Sequence, residues 1–235
     1  KVIELDNYFV DREHTPKDSD GNYDFEALEA MNLKLLGEQL NDLLAGKEVE
    51  LPKFDFKEGR GYPSGKRISL GEKEILIMEG IHALNPDMVP CVDNSRIFRV
   101  YASALTSLNV DENNNISTSD NRLLRRMVRD NRVRGITPEE TILRWHSVRR
   151  GENRNIFPFQ ENADANFNSA LIYELPMLKY YAEPLLRRIA PSSPAYTEAV
   201  RLLKFLDYIV ALSPSEIACI PPTSIMREFI GGQTL

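Results

Sequence analysis

Two short apolar runs, each closed by an acid, constrain this chain more than any other feature. Val2, Ile3 and Leu5 lead to Asp6, and Ile75 to Met78 lead to Glu79-Gly80. Each is too short for a helix and lacks strict alternation, the pattern of a strand buried in a parallel sheet. Between them the period changes. Leu28, Met31, Leu35, Leu36, Leu40 and Leu43 recur near 3.6 residues, which predicts a helix over 25–45, capped by Asp24 and stopped by Gly46. Buried strands alternating with amphipathic helices imply an α/β fold with a mainly parallel sheet. Such sheets bind ligands outside the carboxyl ends of their strands, where Asp6 and Glu79 stand.

The rest of the chain continues the alternation. "RIFRVYAS" reads as a third strand and "DENNNISTSDN" as a polar loop. From Asn121 the chain is helical and rich in arginine. Thr137-Pro138-Glu139-Glu140 is a helix start, with a Thr cap, Pro at the first position and Glu at the capping-box position. "ANFNSALIYEL" holds a short strand, and "PMLKYYAEPLLRRI" a helix with a kink expected at Pro184. "PSSP" is a linker, 195–211 a further amphipathic helix, and "IPPTSIMREFIGG" a short tail segment. Trp145 is expected to pack, as are Tyr180 and Tyr181.

Composition narrows the function classes. The 235 residues suit one large domain, or one with an appendage. A net charge of −6 argues against nucleic acid or a membrane surface as the main partner. No apolar run approaches the roughly 20 residues of a membrane span. Two cysteines are too few for a disulfide framework, so a cytoplasmic setting is expected. Three histidines and two cysteines, scattered, give no zinc spacing. The chain starts without Met, apparently inside a strand, and is expected to be a piece of a longer protein.

"EGRGYPSGKR" looks like a phosphate-binding loop and fails as one. The motif needs four residues between its glycines and a Ser or Thr after the Lys. Gly61 to Gly65 enclose three, Gly59 to Gly65 enclose five, and Arg67 follows Lys66.

Chemistry is expected instead at the strand-end acids and in the arginine cluster. One of Asp6 and Glu79 could hold Mg²⁺ while the other takes a proton from an attacking hydroxyl; alternatively, each is a cap or turn former. "RLLRRMVRDNRVRG" carries Arg122, Arg125, Arg126, Arg129, Arg132 and Arg134, with no Lys among them. Helical spacing puts Arg122, Arg126 and Arg129 on one face with Arg125 beside them. The planar guanidinium fork suits phosphate oxygens. The competing reading is a solvated face paired internally with Asp130, Glu139 and Glu140.

In order along the chain, "LDNYF", "NYDFEALEAMN", "LPKFDFKEGR", "ILIMEGIHAL" and "RLLRRMVRDNRVRG" resemble the motifs of the uridine kinase/phosphoribulokinase family of P-loop kinases, in its uridine kinase-like branch. The resemblance runs from Lys1 to about Ile189. It implies a P-loop NTPase-like three-layer fold whose first strand and phosphate loop lie ahead of Lys1, and an activity that depends on that part. The kinase domain would then be 1–190, with an arginine-rich lid at about 121–154, and 191–235 a C-terminal helical appendage. "GRGYPSGKR" would belong to a hairpin near the acceptor, its glycines and Pro63 serving turns.

The resemblance also implies roles. Asp6 would be the base for a nucleoside 5′-hydroxyl, and Glu79, with Asp6, would serve Mg²⁺. Tyr8 and Asp24 would contact the nucleoside, Asp24 at the ribose hydroxyls, and Phe54 and Arg60 lie in the segment that meets the base. His82 is a further candidate contact. Arg126, Arg129 and Arg134 would close over the phosphates of ATP. Nucleoside and nucleoside triphosphate are the implied partners; whether the protein is a homo-oligomer is left open. Two departures point away from uridine: Phe54 and Gly59 stand where uridine-specific members carry Tyr and His. Ile136 also replaces an arginine of the lid. The alternatives are a kinase for another small alcohol, such as a sugar phosphate or pantothenate, and a non-catalytic nucleotide-sensing module.

Overall fold

A computed structural model describes residues 1–19, 21–105, 112 and 116–234. Of the expected polar loop "DENNNISTSDN", residues 111 and 113–115 lie outside them, and its last four residues open a helix instead. The chain divides into two compact units, 1–101 with 147–166, and 102–146 with 167–235.

The first unit contains β1 (Val2–Glu4), α1 (Leu33–Leu44), β2 (Val49–Asp55), β3 (Arg60–Ile68) and β4 (Ile77–Glu79). β1 and β4 pair in parallel, with Val2 opposite Ile77 and Glu4 opposite Glu79. The α/β class with parallel pairing therefore holds. Burial is one-sided, however. Ile3 is fully buried, but Val2 is 48% and Ile77 56% exposed, because successive side chains point to opposite faces and only one face is covered among the described residues. The covered face joins Leu5, Tyr8, Leu36, Leu40, Leu43, Val49 and Leu51 in one apolar cluster.

The helix expected over 25–45 begins later, at Leu33. The residues before it are tied to the segment after β1: the N–H of Val10 donates to Ala30 O at 2.8 Å and that of Asn32 to Tyr8 O at 2.7 Å. Leu28–Ala30 form a 3-10 turn and Met31 is extended beside Phe9, so the cap is Asn32, whose side chain accepts the Leu35 N–H, and not Asp24. Gly46, at φ 75°, ends the helix as expected. β2 and β3 form an antiparallel hairpin. Gly61, Pro63 and Gly65 lie in strand β3, and the chain turns at 56–59. Pro63 thus sits opposite Pro52 and serves no turn.

The second unit is built on α2 (Thr118–Val133), α4 (Glu174–Leu186), α5 (Tyr196–Leu206), α6 (Pro214–Ala218) and α7 (Met226–Ile230). Leu123, Leu124, Met127, Leu175, Leu178, Leu202, Leu206, Met226 and Phe229 share its apolar cluster, with Trp145 packed against it. In packing, residues 195–230 therefore belong with α2 and α4. Pro184 lies inside α4, two residues from its end. α3 (Pro138–Asn155), β5 (Val100–Ser103) and β6 (Ala165–Asn168) each run from one unit into the other. The expected capping box opens α3: Thr137 Oγ1 accepts from Glu140 N at 3.2 Å, and Glu140 Oε2 accepts from Thr137 N at 2.8 Å. Among the described residues no helix is long and apolar enough to cross a membrane.

Candidate active site

In the first unit, Asp6 lies in the tight turn after β1, and Glu79 is the last residue of β4. The parallel register places both at the carboxyl end of the strand pair, with Glu4 beside them. Asp6 and Glu79 are exposed. Gly80 then lets the chain leave β4: a Cβ there would lie 2.7 Å from Leu5 Cβ, an approach that glycine alone permits.

Next to this end lies an aromatic cluster. The Phe9 ring is 5.7 Å from Phe54, 6.0 Å from Phe56 and 6.3 Å from Phe25, and Phe54 is 5.1 Å from Phe56. Phe54 is buried and its N–H donates to Asn7 Oδ1 at 3.2 Å. Phe25 and Phe56 keep exposed surface, so the cluster offers ring faces to a flat ligand. Asp24 precedes Phe25. Its Oδ1 accepts the Glu26 N–H at 3.1 Å, and Oδ2 accepts from none of the described residues.

His82, three residues past β4, is 1% exposed, and neither ring nitrogen has a hydrogen-bond partner among the described residues. Burial pushes its imidazole below the ordinary 6.5, against the opposing pull of Asp24 and Glu29. A buried ring without a hydrogen-bond partner among the described residues is what a polar ligand would satisfy.

Tyr8 and Phe9 line a cavity of about 550 Å³, with Asn7, Asp11, Asn32 and Gln39. Tyr8 itself is 2% exposed and donates to Gln39 Oε1 at 2.7 Å; burial raises its phenol to about 12. Of the aromatic pair in "LDNYF", Phe9 is the member in the ring cluster. Arg60, the first residue of β3, is exposed.

Sequence reasoning missed Phe9, Phe25, Phe56 and Arg12. Gly59 has φ 71°, and a Cβ there would meet the Arg12 side chain at 2.7–2.8 Å. Arg12 lies across that glycine and donates through Nη2 to Phe56 O at 2.8 Å. The signal available was the missing side chain at 59, which leaves room for a residue distant in sequence.

In the second unit the arginines have separate tasks. Arg125 grips the buried Glu174 with Nε and Nη2, and Asn121 donates to the same carboxylate at 2.9 Å. Its guanidinium also lies 5.1 Å from the centre of the Phe229 ring. Arg132 donates to the backbone oxygens of Glu228 and Phe229. Arg126, Arg129 and Arg134 converge on Asp130: Arg126 Nε at 3.4 Å, Arg129 Nε at 2.9 Å and Arg134 Nη1 at 3.3 Å. The competing reading of internal pairs is thus realised at Asp130, whereas Glu140 serves the Thr137 cap and Glu139 accepts from Ser193.

The donor sets suit the groups a kinase uses. Carboxylate oxygens suit Mg²⁺, which is commonly held by one or two of them plus substrate phosphates; Asp6 and Glu79 are of that kind. Among the described residues, three potential ligand side chains lie within 4.8 Å of one another at Asp11, Glu13 and His14, a set that includes neither strand-end acid. Guanidinium forks suit phosphate.

Residues 4–173 match the Phosphoribulokinase / Uridine kinase family. A uridine kinase of Macrococcus caseolyticus is 30% identical over 164 residues, 69% of this chain and 71% of that one. A uridine kinase of Bacillus cereus is 31% identical over 164 residues, 69% of each chain. A solved structure from Silicibacter sp. TM1040, assigned as a fructose transport system kinase, aligns with 71% of this chain and 74% of its own at a TM-score of 0.46 and 14% identity. The chain belongs to the phosphoribulokinase/uridine kinase family of kinases.

Proposed function

We propose that this protein transfers the γ-phosphoryl group of ATP to the 5′-hydroxyl of a ribonucleoside. The observation that carries the acceptor class is the ring cluster of Phe9, Phe25, Phe54 and Phe56, with Asp24 directly before Phe25 in the chain. Aromatic faces suit a nucleobase, and a carboxylate oxygen without a described donor suits a diol. Uridine kinases of similar sequence agree with that class.

In the reaction the acceptor oxygen bonds to the γ-phosphorus, the bridging bond to the β-phosphate breaks, and ADP leaves with its electron pair. Asp6 takes the hydroxyl proton. Asp24 orients the ribose, and the Phe cluster holds the base. Arg126, Arg129 and Arg134 meet the phosphates. Mg²⁺, held with the help of Glu79 and Asp6, supplies charge neutralisation when bound.

Phe54 has no hydroxyl and Gly59 no side chain, so base selectivity is broad or favours a nucleoside other than uridine. A slot without polar contacts discriminates weakly, whereas a site built around a hydrogen bond rejects analogues by about 10⁴-fold. The test is nucleoside-dependent ADP release by the full-length protein, with the product identified as a 5′-monophosphate by phosphorus NMR. Turnover with sugar phosphates or pantothenate alone would move the protein to another acceptor class. Binding of ATP and nucleosides without turnover would make it a sensing module.

A further inference from the structure

We propose that Asp130 is the positioning residue for the donor phosphates: a buried carboxylate that holds Arg126, Arg129 and Arg134 as one prearranged cationic group. This rests on the kinase reading above. Three observations carry it. Asp130 is 1% exposed, and carboxylates are seldom buried so completely without a reason. Its two oxygens meet three guanidiniums: Oδ1 takes Arg129 Nε at 2.9 Å and Arg134 Nη1 at 3.3 Å, and Oδ2 takes Arg126 Nε at 3.4 Å. Its backbone oxygen also accepts the N–H groups of Arg134 at 3.0 Å and Ile136 at 3.2 Å, so the same residue closes α2 and folds the following turn back toward the carboxylate.

The atoms involved matter. Asp130 holds Arg126 and Arg129 by Nε, the nitrogen nearest the stem. That grip fixes the direction of each planar fork through an atom other than the two terminal nitrogens. A carboxylate has about four lone-pair sites, and three guanidiniums bring fifteen N–H donors between them. Asp130 therefore orients the forks of Arg126 and Arg129 through Nε and that of Arg134 through Nη1. Glu228, which is exposed, lies 3.5 Å from Arg129 Nη1; a phosphate competes there with a solvated partner, the weaker kind of ion pair. Side chains that bind ligands tightly are held in place by a supporting layer of hydrogen bonds, and Asp130 is that layer in one residue.

The sign of the effect separates this proposal from plain electrostatics. Removing a negative charge beside three arginines should strengthen triphosphate binding if only net charge counted. If Asp130 positions the forks, its removal weakens binding. The test is Asp130→Asn in the full-length protein, which keeps the shape and the backbone bonds. The expected result is a KM for ATP raised, and kcat lowered, by on the order of 10- to 100-fold, with the nucleoside KM unchanged. A lost melting temperature alone, with both KM values and kcat intact, means that Asp130 is only structural and overturns the proposal. An unchanged or lowered KM for ATP does the same.

Should the variant fail to fold, the wild-type protein still decides. The ¹⁵N signals of the Arg126 and Arg129 Nε–H groups are followed as adenylyl imidodiphosphate is added. Positioning predicts that both remain bonded to Asp130 in the bound state; release of both on binding contradicts it. Wild-type protein that neither turns over nor binds this analogue refutes the kinase reading itself, and the positioning role with it. An active wild type with an indifferent Asp130→Asn refutes the positioning role alone.

Discussion

In the first unit the acids at the strand ends are exposed and the buried polar ring of His82 lacks a hydrogen-bond partner among the described residues. In the second unit the buried acids, Glu174 and Asp130, are surrounded by arginine. Both units belong to one kinase chain, yet they treat polarity in opposite ways. A buried charge must be paired, so Arg125, held on the buried Glu174, is committed before any ligand arrives. Residues with unmet hydrogen-bonding capacity are therefore better pointers to the acceptor than the longest run of charge. The arginine-rich helix is part scaffold, through Arg125 and Arg132, while the three arginines on Asp130 are the part that the proposed function assigns to phosphate.

The largest effect expected is at Asp6. In the full-length protein, Asp6→Asn should lower kcat by about 10²- to 10⁴-fold, the usual worth of a general base, with nucleoside KM and melting temperature little changed. An unchanged kcat in steady-state assays would reassign Asp6 to structure. Glu174→Ala should do the reverse. It strands Arg125, whose side chain is 11% exposed, and should cost about 3–5 kcal/mol of stability. Urea denaturation checks this, while kcat per folded molecule stays as it was. If both variants lost stability and neither lost rate, the division of labour between the units would collapse.

Smaller effects sharpen the first unit. Phe56 is 44% exposed, so Phe56→Ala should leave stability nearly intact. It should weaken nucleoside binding by about 1–3 kcal/mol if a base stacks there. Calorimetric titration with ribonucleosides reads that loss directly, and undiminished affinity would remove Phe56 from the site. The smallest effect concerns His82. Its imidazole is held below the unfolded value of 6.5 by burial, so the unfolded chain binds more protons between the two values. Stability should fall as the pH drops from about 6.5 to the folded value, and level off below it. His82→Asn should flatten that part of the stability–pH curve. Curves that stay parallel would show that His82 does not titrate differently on folding.

How much of this was legible depends on the range of the forces involved. The strand-end acids could be read because a buried parallel strand is a short local pattern. The Thr137 capping box and the Gly46 stop were legible for the same reason. The start of α1 was not, because hydrogen bonds from Tyr8, Val10 and Ala30 override an apolar period that continues through 28–31. One-sided burial of β1 and β4 was hidden as well, since an apolar run does not say how many layers will cover it. Arg12 packing over Gly59, and Glu174 waiting for Arg125, are contacts between distant residues that no local spacing encodes. At the site, the segment "LDNYF" was found, but which of its two rings joins the cluster depends on the turn that follows β1. That turn buries Tyr8.

The central claim is that the first unit receives a ribonucleoside, its base on the phenylalanines and its diol at Asp24. The most direct test is kcat/KM for matched ribo- and 2′-deoxyribonucleosides, measured by ADP release with the full-length protein and its Asp24→Asn variant. The account predicts a clear preference for the ribo form across bases, because a diol-binding carboxylate is costly to leave unpaired, and predicts that Asp24→Asn abolishes that preference. Equal values for ribo and deoxy forms in the wild type, or a preference that survives Asp24→Asn, would contradict it.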